Sequence, residues 1–205
     1  MNGYHDFVFD TKNRQFIGRF EDMYRAEGIE RFDSWDQDNP HRLDVHLVRA
    51  LVNSTSPRTI ADIGCGKGFL TSLLTHPNRT VLGCDVSETA LATARGRAPS
   101  AVFVHLSDAS IYPLVQFLFN ARRSLGTIDM VVMSQVLSYI ADWPNLVDIS
   151  STYSNHLCLA LYLPQDPIGY VKSWDNVVGT VSKKMDIDAS LWDSANDTGY
   201  LLATR

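Results

Sequence analysis

The sequence predicts an α/β fold: a seven-stranded, mostly parallel sheet with helices on both faces, a C-terminal antiparallel hairpin and an N-terminal helical cap. Three observations carry this. From residue 57 onward, short apolar runs alternate with helix-periodic segments, the pattern of a parallel sheet covered on both sides. The first run ends in three closely spaced glycines, Gly64, Gly66 and Gly68, that open a helix. The last two runs, Asp188–Asp193 and Tyr200–Thr204, flank Asn196-Asp197-Thr198-Gly199, which reads as a hairpin turn.

Taken in order, residues 1–56 form the cap and 57–205 the core of a single domain. In the cap, Phe16, Ile17, Phe20, Met23 and Tyr24 recur at helical spacing, and a second helix from about Pro40 to Val52 carries Leu43, Leu47, Val48 and Leu51 on one face. The core strands are the run ending at Ile63, then Thr80–Cys84, Val102–Leu106, Ile128–Met133 and His156–Leu163, before the hairpin. Helices are expected near Phe69–Thr75, Ser87–Arg97, Leu114–Arg123, Asn145–Tyr153 and Tyr170–Lys184, with Pro113 and Pro144 suited to first turns.

The chemistry concentrates in Ala61-Asp62-Ile63-Gly64-Cys65-Gly66-Lys67-Gly68-Phe69-Leu70. Glycine permits a sharp bend and close approach, and the following helix offers free N–H groups. A dinucleotide fingerprint needs G-x-G-x-x-G, but here the third glycine falls one place early and Phe69 takes its position. A Walker-type phosphate loop is excluded because Lys67 is followed by Gly68 and Phe69, not Ser or Thr. The second strand ends in Asp85, whose carboxylate is suited to both hydroxyls of a ribose, although a plain capping role is open because Ser87 follows as an N-cap candidate. After the third strand, Asp108 can accept from an adenine amino group or serve as an ordinary loop Asp.

Asp62-x-Gly64-x-Gly66-x-Gly68, Asp85, Asp108 and the run Ile128–Ile140 together resemble the class I S-adenosylmethionine-dependent methyltransferases, whose sheet is Rossmann-like and closes on an antiparallel hairpin. The resemblance covers residues 59–140 in motif form and the whole chain in element order. It implies S-adenosyl-L-methionine as cofactor, with Asp62, Gly64, Cys65, Gly66 and Gly68 in the loop around its methionine part, Asp85 on the ribose, Val86 on the adenine face, Asp108 with Ala109 at the adenine edge, and Ser134 with Gln135 lining the pocket. The Asn-Pro-Pro-Tyr or Asp-Pro-Pro-Tyr signature of many amino-methylating enzymes is missing. The short lead with a Trp before the second helix is similar to the small-molecule branch, including nodulation-type N-methyltransferases. A small metabolite or sugar, methylated on O or N, is the implied acceptor.

Methyl transfer needs alignment and exclusion of water, and a base only when the acceptor is protonated. Base candidates are His41 and His46, Asp36 and Asp38, and Tyr139 or Asp142; His41 and Tyr139 are the sharper pair, while His46 reads as a partly buried helix residue. Trp35 and Tyr139 are expected at the substrate, with Trp35 a lid or an anchor for the cap, and Asp33, Asp36 and Asp38 available to draw in a cationic or hydroxyl-rich acceptor. Two other readings remain open: an NAD-dependent oxidoreductase, supported by Asp85, and a non-catalytic nucleotide-binding protein on the same fold.

Composition narrows the partners. The chain has 205 residues, a formal net charge of −5 and only scattered basic pairs, which argues against nucleic acid. Cys65, Cys84 and Cys158 have neither the number nor the spacing of a disulfide framework or a metal site, so they read as buried thiols in a reduced compartment. No apolar stretch approaches a membrane span, and the N-terminus lacks a basic segment followed by an apolar run, so a cytoplasmic location without membrane association is the expectation.

Overall fold

A computed structural model describes residues 4–205; the part of the N-terminal reading that rests on residues 1–3 lies outside it. In chain order the elements are α1 (His5–Val8), β1 (Phe9–Asp10), β2 (Gln15–Phe16), α2 (Phe20–Glu30), α3 (Leu43–Ser54), β3 (Thr59–Ile63), α4 (Phe69–Leu74), β4 (Thr80–Asp85), α5 (Glu88–Arg97), β5 (Val102–His105), α6 (Ile111–Leu125), β6 (Ile128–Ser134), α7 (Trp143–Tyr153), β7 (Ser154–Tyr162), α8 (Trp174–Val181), β8 (Asp186–Asp193) and β9 (Thr198–Thr204). Single 3₁₀ turns occupy Ser34–Asp36 and Leu137–Tyr139.

The main sheet has seven strands in the order β5-β4-β3-β6-β7-β9-β8. β3, β4, β5, β6 and β7 pair in parallel, and β9 pairs antiparallel with both β7 and β8. Side chains alternate across it with the two-residue period of a strand. On β6, Val131 and Met133 join the core under α6, α7 and α8, whereas Met130 and Val132 join the core under α3 and α4. Because β4 and β6 flank β3 on opposite sides, the strand order reverses between β3 and β6. The crevice outside the carboxyl ends of those two strands, where Ile63 pairs with Met133, is where an open α/β sheet takes its ligand.

Four local expectations need correction. Phe16 does not begin the first helix: Gly18 turns at φ +71° with the Phe16 ring packed where a Cβ would stand, so Phe16 closes the small β1–β2 hairpin and α2 starts at Phe20. α3 begins at Leu43, not Pro40, and His46 on it is exposed, its ring on the Pro40 carbonyl. The expected helix from Tyr170 begins only at Trp174, since Gly169 packs against the Ser138 backbone and Tyr170 N–H donates to Ser138 O at 2.8 Å. Thr198 and Gly199 belong to β9; the Trp174 indole lies within 2.2 Å of the place a Gly199 Cβ would occupy, so glycine there serves packing and the turn falls earlier. The three cysteines are buried and free, and no helix among the described residues is long and apolar enough to cross a membrane.

Candidate functional site

At the switch point lies a covered cavity with about 1030 Å³ of atom-free space, its mouth included. Its floor is the glycine loop after β3. Gly64 N–H and Cys65 N–H both donate to the Cys84 carbonyl, at 2.8 and 3.0 Å, so the loop is stitched to β4 before it turns into α4. Gly64, Gly66 and Gly68 all take positive φ (+70°, +53° and +74°), which L side chains rarely adopt.

The atoms that fill the missing Cβ positions are the protein's own. A Gly64 Cβ would stand 2.5 Å from Val136 Cγ2, a Gly66 Cβ 2.4 Å from Gln37 Oε1, and a Gly68 Cβ 2.7 Å from the Ala94 Cβ. Gly68 therefore lets α4 approach α5 and does not line the cavity, whereas Gly64 and Gly66 line it with backbone. The sequence reading treated the third glycine as part of the ligand cradle; its role here is close packing.

Asp85 closes β4 beside the loop. Its Oδ2 accepts from Gly66 N–H and its Oδ1 from Ser87 N–H, both at 2.9 Å. Two N–H donors leave a carboxylate about half its acceptor capacity, and Asp85 has no ion-pair partner among the described residues. Burial pushes its pKa up against the pull of those N–H groups. Ser87 meanwhile caps α5, accepting from Ala90 N–H at 3.1 Å, so capping and carboxylate presentation are divided between neighbours. Asp62, deeper in the floor, is pushed up to about 7 by burial, although the Thr71 hydroxyl donates to it at 2.6 Å. Burial also raises the Cys65 thiol, which keeps its proton and is no nucleophile.

The roof comes from the cap and from the turn after β6. Phe20 on α2, Trp35 in the first 3₁₀ turn and Tyr139 in the second all line the cavity. Their ring centroids stand 5.3 Å (Phe20–Tyr139), 6.1 Å (Phe20–Trp35) and 6.1 Å (Trp35–Tyr139) apart, the range of edge and tilted aromatic contacts. Trp35 and Asp36 sit consecutively at φ +53°, a conformation that costs a bulky residue and is held by its surroundings. Arg42 donates to the Trp35 carbonyl at 2.7 Å, fixing that turn. Gln37 reaches down, donating to Tyr24 Oη at 2.9 Å and accepting from Lys67 N–H at 3.1 Å.

Beneath the roof, Lys67 Nζ holds Asp33 and Asp38 at 2.7 Å each and Glu27 as a third carboxylate; its side chain is only 6% exposed. Burial works against the Lys67 charge, and the three acids more than offset it, leaving its pKa raised. Asp38 also pairs with Arg97. Glu21 ties α2 to the start of α5: burial opposes its charge, but the Ser87 and Thr89 hydroxyls donate to it and hold its pKa down to about 2.

Residues 61–157 match the family model described as a methyltransferase domain. Among solved structures, the N-methyltransferase NodS from Bradyrhizobium japonicum WM9, in complex with S-adenosyl-L-homocysteine, superposes with a TM-score of 0.68 at 18% identity, over 89% of this chain and 97% of that one. The fold is that of the class I S-adenosylmethionine-dependent methyltransferases. The trans-aconitate 2-methyltransferase of Yersinia pestis (strain Pestoides F) is 35% identical over 141 residues, 64% of this chain and 50% of that protein. That of Acidovorax sp. (strain JS42) is 43% identical over 68 residues, 32% of this chain and 26% of that protein. The chain thus spans between about a quarter and a half of the length of these curated relatives.

Within the methyltransferase fold, Asp62, Gly64, Cys65, Gly66, Asp85, Val86, Ala109, Ser134 and Gln135 meet at one cavity with Trp35 and Tyr139. Asp108 and His41 do not. Asp108 is exposed beside a shallow outer groove, and its Oδ1 accepts from Ser110 N–H at 2.7 Å, the loop role open to it from the start. His41 is exposed on the turn before α3 and away from the cavity lining. Tyr139 is present, but burial raises its pKa despite the Trp35 indole beside it; the phenol keeps its proton and is unsuited to act as a base. Asp33 and Asp38 are spent on Lys67 and Arg97, and Asp36 accepts from Asn39, so these acids do not face the cavity as a lure for cations.

Phe20, Tyr24, Gln37, Arg42, Val136 and Lys67 have no site role in the sequence pattern. Only Lys67 carried a signal, as a lone cation inside a glycine turn in a chain whose cap is rich in acids.

Proposed function

We propose that this chain is an S-adenosyl-L-methionine-dependent methyltransferase that transfers a methyl group to O or N of a small metabolite. One observation carries the reading: a buried carboxylate with spare acceptor capacity, Asp85, stands beside a glycine loop at the sheet's switch point and lines a covered cavity. Those residues fit the nucleoside. Asp85 would take the ribose hydroxyls, Val86 and Ala109 the adenine, and the Gly64–Gly66 backbone with Ser134 and Gln135 the methionine end.

When bound between Asp85, Val86, Ala109 and the Gly64–Gly66 backbone, the sulfonium would supply an electrophilic methyl to an acceptor lone pair, with sulfur as the leaving group. The chain's own part is to align and to keep water out. The aromatic roof of Phe20, Trp35 and Tyr139 excludes water, and no protein nucleophile is required. The names of the curated relatives raise trans-aconitate as one acceptor; the names of the structural neighbours raise others.

Calorimetric titration with S-adenosylhomocysteine and NAD, followed by label transfer from methyl-labelled donor to metabolite fractions, tests the reading. Micromolar S-adenosylhomocysteine binding, no NAD binding and a labelled product are expected. NAD binding without S-adenosylhomocysteine binding would overturn it in favour of an oxidoreductase, and cofactor binding without label in any fraction would leave a non-catalytic nucleotide binder.

A further inference from the structure

We infer that the acceptor is an uncharged molecule with a flat apolar face, not a polycarboxylate. The inference rests on the methyltransferase reading and concerns the part of the cavity under the cap. Three rings from three separate segments, Phe20, Trp35 and Tyr139, form its roof within 6.1 Å of one another. Rings so arranged offer stacking and edge contacts to a flat partner.

Charge recognition is already spent. Arg42 is the one cationic side chain lining the cavity among the described residues. Its Nε donates to Asp44 Oδ1 at 2.9 Å, its Nη2 to Asp44 Oδ2 and its Nη1 to the Trp35 carbonyl at 2.7 Å. Both partners are mostly buried, with 17% and 15% of their side chains exposed, so the pair is a neutral, two-pronged unit. The amides are committed as well. Gln37 is engaged with Tyr24, Ser34 and Lys67, while Gln135 accepts from Tyr162 N–H at 2.6 Å and donates to Asp44 at 3.3 Å. The remaining titratable side chains of the Asp/Glu type on the lining, Asp62 and Asp85, are carboxyl groups and offer an anion no counter-charge.

A tricarboxylate entering this space would lose hydration for three charges and meet one neutralised guanidinium. An uncharged ring would exchange water for aromatic faces. Asp44 is therefore the specificity-determining residue: by neutralising Arg42 it leaves the part of the cavity under the cap without a free cation for an acidic acceptor.

The test uses the full chain saturated with S-adenosylhomocysteine, so that failure of the methyltransferase reading registers first, as absent cofactor binding. The loaded protein is then titrated, by calorimetry and tryptophan fluorescence, with trans-aconitate and with 2-naphthol as an uncharged flat probe. Saturable naphthol binding and no trans-aconitate binding are expected in the wild type. Asp44→Asn, which frees the Arg42 charge while keeping the side-chain shape, is expected to gain at least about tenfold in trans-aconitate affinity when saturated with S-adenosylhomocysteine. Saturable trans-aconitate binding to the wild type, or no saturable naphthol binding when the cofactor binds, overturns the inference. So does a folded Asp44→Asn variant that gains nothing for trans-aconitate.

Discussion

The floor and the roof of the cavity use acidic side chains in opposite ways. On the floor, Asp62 and Asp85 are bonded to neighbours on the same βαβ unit, and burial raises their pKa values. In the roof, Glu21 and Asp38 find donors across long stretches of chain, Ser87 and Thr89 for the first, Lys67 and Arg97 for the second, and their pKa values are lowered. The floor holds carboxylates without an ion pair that keep acceptor capacity to spare, which is what a site for a diol ligand needs. The roof consumes its carboxylates in holding itself down, which is what a cover needs.

Gly66→Val should have the largest effect, because it touches both regions. A branched side chain at φ +53° would drive into Gln37 and Tyr24, and calorimetry should show S-adenosylhomocysteine binding abolished in a protein that still unfolds cooperatively. Normal binding would mean the floor does not depend on that close approach. Next is Lys67→Ala, which leaves Glu27 and Asp33 without an ion pair while Asp38 keeps Arg97. Removing one side of a buried ion pair costs roughly 3–5 kcal/mol; since Asp38 is 46% exposed and Asp33 30%, the lower end, about 3 kcal/mol in urea unfolding, is expected. Asp85→Ala should weaken S-adenosylhomocysteine binding by about 1–3 kcal/mol with little change in the melting temperature of the free protein. A loss of stability in place of affinity would make Asp85 part of the scaffold.

The smallest effect is in pH dependence, and it separates floor from roof by sign. Asp62 has a folded pKa of about 7 against an ordinary 3.8, so the folded state holds a proton that the unfolded chain lacks, and stability falls as pH rises from about 4 through 7. Glu21 runs the other way: its contribution is present above its ordinary 4.5 and is lost as pH falls toward about 2. Melting temperatures of Asp62→Asn should therefore fall less than those of wild type between about pH 4 and 7, and those of Glu21→Gln should show a flatter acid limb. An unchanged slope between about pH 4 and 7 in Asp62→Asn would place that proton elsewhere.

The floor was legible in the sequence because its parts are local. A strand, a glycine bend and an acid ending the next strand lie within about one βαβ unit, and hydrogen bonds between adjacent strands fix their relative positions. Gly68 was misjudged because spacing alone does not say whether a missing Cβ makes room for a ligand or for Ala94. The roof was barely legible. Its contacts join residues far apart in the chain, as Gln37 to Lys67 and Glu21 to Thr89 do, and an acidic segment carries no mark of which distant cation it will meet. Trp35 stood out as a ring set among Asp33, Asp36 and Asp38 before the second helix, and Tyr139 as a ring after a core strand, but their mutual packing with Phe20 depends on a left-handed turn that no local pattern announced.

The most direct test is a crystal structure with S-adenosylhomocysteine bound. The ribose hydroxyls should lie within hydrogen-bond distance of the Asp85 carboxylate, with the homocysteine along Gly64–Gly66 and the sulfur beneath Trp35 and Tyr139. Nucleoside density outside this cavity, or a ribose turned away from Asp85, would contradict the account.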